Sequence, residues 1–133
     1  MPATVCSEHN KMAKHYEFGK EAEIRAAKFL EEKNYEILKR SWRYLKAEID
    51  IIAKDLNSNQ IVIVEVKARN FNPLVEPEEA VTKTKRKLLI QAADQFIVQN
   101  ETRLETRFDI ISILKSGNDW KIRHIRNAFY IFD

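Results

Sequence analysis

Two glycines, one cysteine and the lack of any long apolar run set the first limits on this sequence. Gly19 and Gly117 lie far apart, so neither a phosphate-binding P-loop nor a dinucleotide fingerprint can be written; both cluster glycines where backbone amides approach phosphates. Nucleotide cofactors are therefore not expected. The single Cys6 excludes an internal disulfide and a multi-cysteine zinc finger, and it fits a reducing compartment, the cytoplasm. No apolar stretch approaches the roughly 20 residues of a membrane span. The polar segment from Ser7 to Lys14 also lacks the hydrophobic core of a signal peptide. The expectation is a cytoplasmic protein without a membrane partner.

At 133 residues the chain has the length of one domain. Apolar residues make up 44% and charged residues 32%, enough for a core beneath a highly charged surface. Lys and Arg exceed Asp and Glu by 23 to 20, a net charge of +3 that leaves room for a polyanionic partner.

Residues 1–14 show no periodicity and read as a tail, with Met12 as an alternative start; residues 15–133 read as one domain. Cys6, His9 and His15 do not make a metal site, because three scattered residues lack a fourth ligand and a fixed geometry. From about Tyr16 to Lys33, Phe18, Ala22, Ala26, Phe29 and Leu30 recur at helical spacing. Strands are predicted at 35–43, 48–53 and 61–68, with 55–60 as the turn between the last two. Residues 70–77 read as a loop with two prolines, and a second helix spans 82–99. Strands at 108–114 and 120–125 complete the order α-β-β-β-α-β-β, a single α/β domain with a mixed sheet flanked by helices.

A hairpin turn at 55–60 sets Lys54 opposite Ile61, and the same register sets Asp50 opposite Glu65 and Glu48 opposite Lys67. Alternation puts these charged residues on one face and Ile49, Ile51, Val64 and Val66 on the other. Two carboxylates about 5 Å apart at Cβ repel unless a proton or a cation sits between them, and a hard divalent ion suits that place. A solvated face with a Glu48–Lys67 ion pair is the plainer alternative. Glu23 falls inside the apolar stripe of the first helix, so it needs either a shared cation or a buried salt bridge.

Glu23, Asp50, Glu65 and Lys67 thus form a set suited to metal-assisted phosphodiester hydrolysis. The carboxylates can hold Mg²⁺ or Mn²⁺, while the lysine orients water or offsets developing charge. Lys83, Lys85, Arg86 and Lys87 crowd a helix start, where the macrodipole disfavours cations and a phosphate would relieve them; a solvated basic face is the alternative. Arg40 and Arg43 interleave with Trp42 and Tyr44, an arrangement open to backbone phosphates and an unpaired base, although Trp42 can equally be core. Arg107 and Asp109 share a face and can simply pair with neighbouring charges; His124 alone carries little information.

Asp50 followed by Glu65-Val66-Lys67 resembles the PD-(D/E)xK signature of restriction-endonuclease-like nucleases. The wider pattern resembles the YraN family, small bacterial proteins regarded as predicted endonucleases and similar in core to archaeal Holliday-junction resolvases. It comprises Gly19-Lys20-Glu21-Ala22-Glu23, Ala47 to Ala53, Val64 to Arg69, Ala80-Val81 with Lys85, Arg107-Phe108-Asp109 and Asn127-Ala128-Phe129. Ala22 and Ala47 stand where that family usually has glycine, and the ionisable residues are intact. The resemblance implies a restriction-endonuclease-like core, with Asp50 and Glu65 as metal ligands and Lys67 as the catalytic lysine. Glu23 would be a helix-borne ligand or water-positioning group, and Glu48 a weaker ligand. The expected partner is nucleic acid, DNA by analogy with the resolvases, contacted by Arg40, Arg43, Arg69, Lys83, Lys85, Arg86 and Lys87. A two-fold symmetric substrate would favour a homodimer. A module that keeps the fold and binds nucleic acid without cutting is the competing expectation, and an unrelated α/β interaction domain a third.

Overall fold

The first helix, α1, spans Ala3–Glu32 and so begins well before the apolar periodicity does. Apolar spacing marks where a helix packs, whereas helical hydrogen bonding continues until a breaker stops it, and no glycine or proline occurs between Ala3 and Phe18. The expected tail is therefore helical in backbone from Ala3 onwards. The computed structural model describes residues 3–71 and 81–130, with side chains from residue 14 except residue 15. Most of the loop expected at 70–77 lies outside the described residues.

Five strands follow: β1 (Tyr35–Tyr44), β2 (Ala47–Asp55), β3 (Gln60–Asn70), β4 (Thr106–Ser116) and β5 (Asp119–Phe129), with helix α2 (Lys83–Gln99) between β3 and β4. They form one sheet in the order β1-β2-β3-β4-β5. The β3–β4 pair alone is parallel, as a helical crossover between them requires. The β2–β3 hairpin has the expected register, Lys54 opposite Ile61, but its turn is tighter because Asp55 and Gln60 also pair. Asp55 Oδ1 holds that turn by accepting from the amides of Asn57 and Ser58. Thr82 caps α2, its hydroxyl accepting from the Lys85 amide at 3.2 Å.

Each face of the sheet carries one helix. Ala22, Ala26, Ala27 and Leu30 of α1 pack on Ile51, Ala53, Val62, Val64, Ile111 and Ile113. Leu89, Ala92, Ala93 and Phe96 of α2 pack on Ile49, Ile52, Ile61, Ile63, Phe108 and Ile110. Trp42 meets Phe96 edge-on at 5.7 Å, so the core role holds for it rather than a base-stacking one. Trp120 lies on the other layer, 5.4 Å from Phe18 and beneath the Arg25 guanidinium. Among the described residues no helix is long and apolar enough to cross a membrane.

At the end of the sheet where β2 finishes and β4 begins, Arg107 is buried to 1% side-chain exposure between Asp55 and Asp109. It donates to both Asp109 oxygens, Asp55 Oδ2, Gln60 Oε1 and the Tyr35 hydroxyl at 2.8–3.0 Å. These five contacts match the five N–H donors of a guanidinium. Asp109 also meets His124 Nε2 at 2.7 Å and accepts from the Asn127 amide, while Arg126 reaches Asp55. The pairing expected of Arg107 and Asp109 is thus real, but it is a buried network rather than a surface contact. Burial alone would raise the Asp55 pKa, yet the Arg107 hydrogen bond and those at Ser58 and Asn57 outweigh it and lower the value to about 2. Asp109 is lowered likewise: burial is outweighed by its hydrogen bonds to His124, Arg107 and Asn127.

Removing the cation takes from two buried carboxylates the guanidinium that joins them, so Arg107→Met is expected to lower unfolding free energy by about 3–5 kcal/mol in urea titration. A loss under about 1 kcal/mol would show that the network is dispensable. Because both carboxylates have depressed pKa values in the fold, their contribution is complete above their ordinary value of 3.8. It drains away as pH falls towards 2, and the same variant should flatten that part of the stability–pH curve.

Candidate active site

At the other end of the same strands the ladder opens. β2 and β3 pair from Asp55–Gln60 to Ile51–Val64 and no further. The expected pairings of Asp50 with Glu65 and of Glu48 with Lys67 are therefore not made. Ile49 and Ile51 belong to clusters on opposite faces, although residues two apart on a regular strand share a face, so β2 turns over at Asp50. The Val66 amide donates to Asp50 Oδ2 at 2.8 Å, a side-chain bond in place of a ladder bond. The splay also spares the chain a direct opposition of like charges.

Glu65 points to the α2 side, 5% exposed, and Lys85 Nζ lies 2.7 Å from its Oε1. Its Oε2 is buried with no hydrogen-bond partner. Burial first, and then the Glu65 charge, push the Asp50 pKa up to about 7 against the Val66 hydrogen bond; Glu23 adds to the rise and Lys85 opposes it. Lys85 is itself raised: its burial is outweighed by Glu65, with Asp50 and Glu48 contributing.

Glu23 reaches the same neighbourhood from α1. Its Oε1 accepts from Ser41 Oγ at 3.1 Å and lies 3.4 Å from Arg40 Nε, so the salt-bridge alternative describes it. Glu48 turns outwards to Arg43 at 2.9 Å. Among the described residues no three His, Cys, Asp or Glu side chains converge closely enough to hold a metal ion. Glu23, Asp50 and Glu65 therefore share an electrostatic neighbourhood without closing into the expected three-carboxylate set.

A cleft of about 580 Å³ opens on the α1 side between Gly19, Lys20 and Glu23 of the helix, Arg40, Ser41 and Arg43 of β1, and Glu48, Asp50, Val66 and Ala68 of the sheet. Lys67 and Arg69 alternate with Val66 and Ala68, which places them half-buried on the opposite face with Glu65. Lys83 and Lys87 are exposed at the start of α2. Arg86 is drawn inwards over the Phe129 ring, with its Nε buried and unpartnered. Sequence reasoning missed Lys20 and Ser41 as cleft residues and Lys85 as the partner of Glu65. Lys20 stands three residues before Glu23 on one helix face and was findable; no local pattern marks the other two.

A five-stranded mixed sheet between two helices, with carboxylates gathered where β3 ends, is the architecture that the restriction-endonuclease-like resemblance implies. The family follows from direct comparison: residues 22–113 match the model of the uncharacterised protein family UPF0102, and the chain belongs to that family. It is similar to a UPF0102 protein of Flavobacterium psychrophilum, with 42% identity over 121 residues covering 91% of this chain and 100% of the relative. A UPF0102 protein of Bacteroides thetaiotaomicron is 41% identical over 119 residues, 90% of this chain and 97% of the relative.

Asp50 carries a pKa above its ordinary 3.8, so its ionisation opposes folding, and the cost grows as pH rises towards about 7. Without divalent ions, Asp50→Asn, which can still accept from Val66, should melt at a higher temperature than the wild type at pH 8. The difference should shrink on acidification towards the ordinary carboxylate range. An equal or lower melting point at pH 8 would show that this carboxylate is held at no cost.

Proposed function

We propose that this protein is a divalent-metal-dependent nuclease that hydrolyses phosphodiester bonds, acting on branched or structured DNA. The observation that carries the reading is the Asp50–Glu65 pair, in which one carboxylate is pushed towards protonation and the other keeps a buried oxygen without a donor. Two under-satisfied carboxylates suit a hard cation, and Asp50 and Glu65 would hold Mg²⁺ or Mn²⁺. Such an ion, when bound, supplies Lewis-acid polarisation of the phosphate and eases deprotonation of water. Lys67, on the Glu65 face, is placed to offset charge on the phosphate. Lys20, Arg40 and Arg43 line the cleft beside Glu23, Glu48 and Asp50, and would meet the phosphates of a polyanion entering it. Glu23, fixed by Ser41, positions Arg40 and reinforces the negative field at Asp50.

One observation favours a second reading. Lys85 already neutralises Glu65, and among the described residues no three ligands converge, as in a domain that binds nucleic acid without cutting it. The two readings separate in a cleavage assay with labelled duplex, single-stranded, flap, fork and four-way-junction DNA in Mg²⁺ or Mn²⁺. The nuclease reading expects one structure to be cut, and Asp50→Asn and Lys67→Ala each to slow cutting by about 100-fold or more. Binding without cleavage under both metals supports the second reading, and cleavage unchanged in both variants places the site elsewhere.

A further inference from the structure

On the α2 side of the sheet, two rows of residues run from β3 across β4 to β5. Lys67 pairs with Ser112, and Ser112 with Arg123; Arg69 pairs with Leu114, and Leu114 with Lys121. Cross-strand partners share a face. Ile110 and Ile125, two residues before Ser112 and after Arg123, pack in the cluster beneath α2, which fixes the side on which both rows stand. α2 itself lies over β2 and β1, away from these rows. Leu114 belongs to neither hydrophobic cluster. Lys121 and Arg123 are exposed and Arg69 is half-buried; among the described residues none of the three forms an ion pair. Neither row contains a carboxylate; Glu65, paired with Ile110, and Asp119, opposite Ser116, stand in the rows on either side.

Strand spacing sets Arg69 and Lys121 about 10 Å apart at the backbone and neighbouring rows about 7 Å apart. Those separations are close to the screening length of about 8 Å at physiological salt, so the cations repel one another in the free protein. We propose that Arg69, Lys121 and Arg123 form a track for a nucleic-acid backbone that leaves the Glu65–Lys67 end of β3 and crosses the sheet towards β5. The track rests on the nucleic-acid reading above and extends it to the α2 face, where Glu65 and Lys67 stand, opposite the cleft. The track's cations contact phosphates rather than base edges, so it binds without sequence preference. Lys83 and Lys87 at the start of α2 widen it on the same side of the sheet.

The test is fluorescence anisotropy with a labelled DNA duplex and a labelled four-way junction, without divalent ions and across a salt series. Lys121→Glu combined with Arg123→Glu is compared with Lys28→Glu combined with Lys33→Glu, which changes net charge equally at exposed positions of α1 and the turn after it. Melting temperatures confirm that both variants fold. Reversal on β5 should weaken binding at least tenfold at low salt and reduce the slope of log affinity against log salt by about 2, while the α1 variant binds nearly as the wild type. Equal losses in both variants, an unchanged β5 variant, or a wild type that binds neither DNA would overturn the track. If the wild type cuts DNA and only Asp50→Asn abolishes it while the β5 variant binds normally, the track fails and the nuclease reading stands. If the β5 variant loses binding yet the wild type cuts nothing, the track stands and the nuclease reading fails.

Discussion

The structure depends first on the guanidinium of Arg107. One side chain gathers Tyr35 of β1, Asp55 of β2, Gln60 of β3 and Asp109 of its own strand, and Asp109 and Asp55 draw in His124, Asn127 and Arg126 of β5. All five strands are thus tied at one end of the sheet by charge-assisted hydrogen bonds away from water. An apolar cluster holds layers together without fixing which strand end meets which; this network does fix it. With that end closed, the strands can part at the other end without loss of register.

The parting is what makes a site. The β2–β3 ladder stops at the Ile51–Val64 pair, and the strands part beyond it. Glu65 and Lys67 stand there, α2 brings Lys85, and the break in β2 turns Asp50 towards them. Glu23 comes from α1 on the opposite face, so the carboxylates approach from three elements and both sides of the sheet without closing on one point. The outward turn of Glu48 to Arg43 leaves the interior negative charge with Asp50 and Glu65.

Much of this was legible in the residues alone. Element order, the β2–β3 register and the α2 boundary at Thr82 follow from turn chemistry and alternation, because those signals are local. The break at Asp50 was not legible: alternation extrapolated through Ile49 and Ile51 puts both on one face, and only the Val66 amide and the two separate clusters show otherwise. The reach of Arg107 was hidden for a similar reason, since its partners lie 2 to 72 positions away. The start of α1 was misplaced because the residues from Ala3 to His15 carry no apolar periodicity to read, while nothing in their sequence breaks a helix. Arg40, Arg43 and Lys85 were expected as contacts to nucleic acid, yet each meets a carboxylate in the fold, which composition does not reveal.

The two tryptophans stand on opposite layers, Trp42 against Phe96 beneath α2 and Trp120 against Phe18 and Arg25 beside α1. Each hydrophobic layer therefore carries its own natural fluorophore, one in an aromatic contact and one under a guanidinium. With either indole replaced by phenylalanine, the emission of the other follows the loosening of a single layer, so the two halves of this small core can be watched separately as it comes apart.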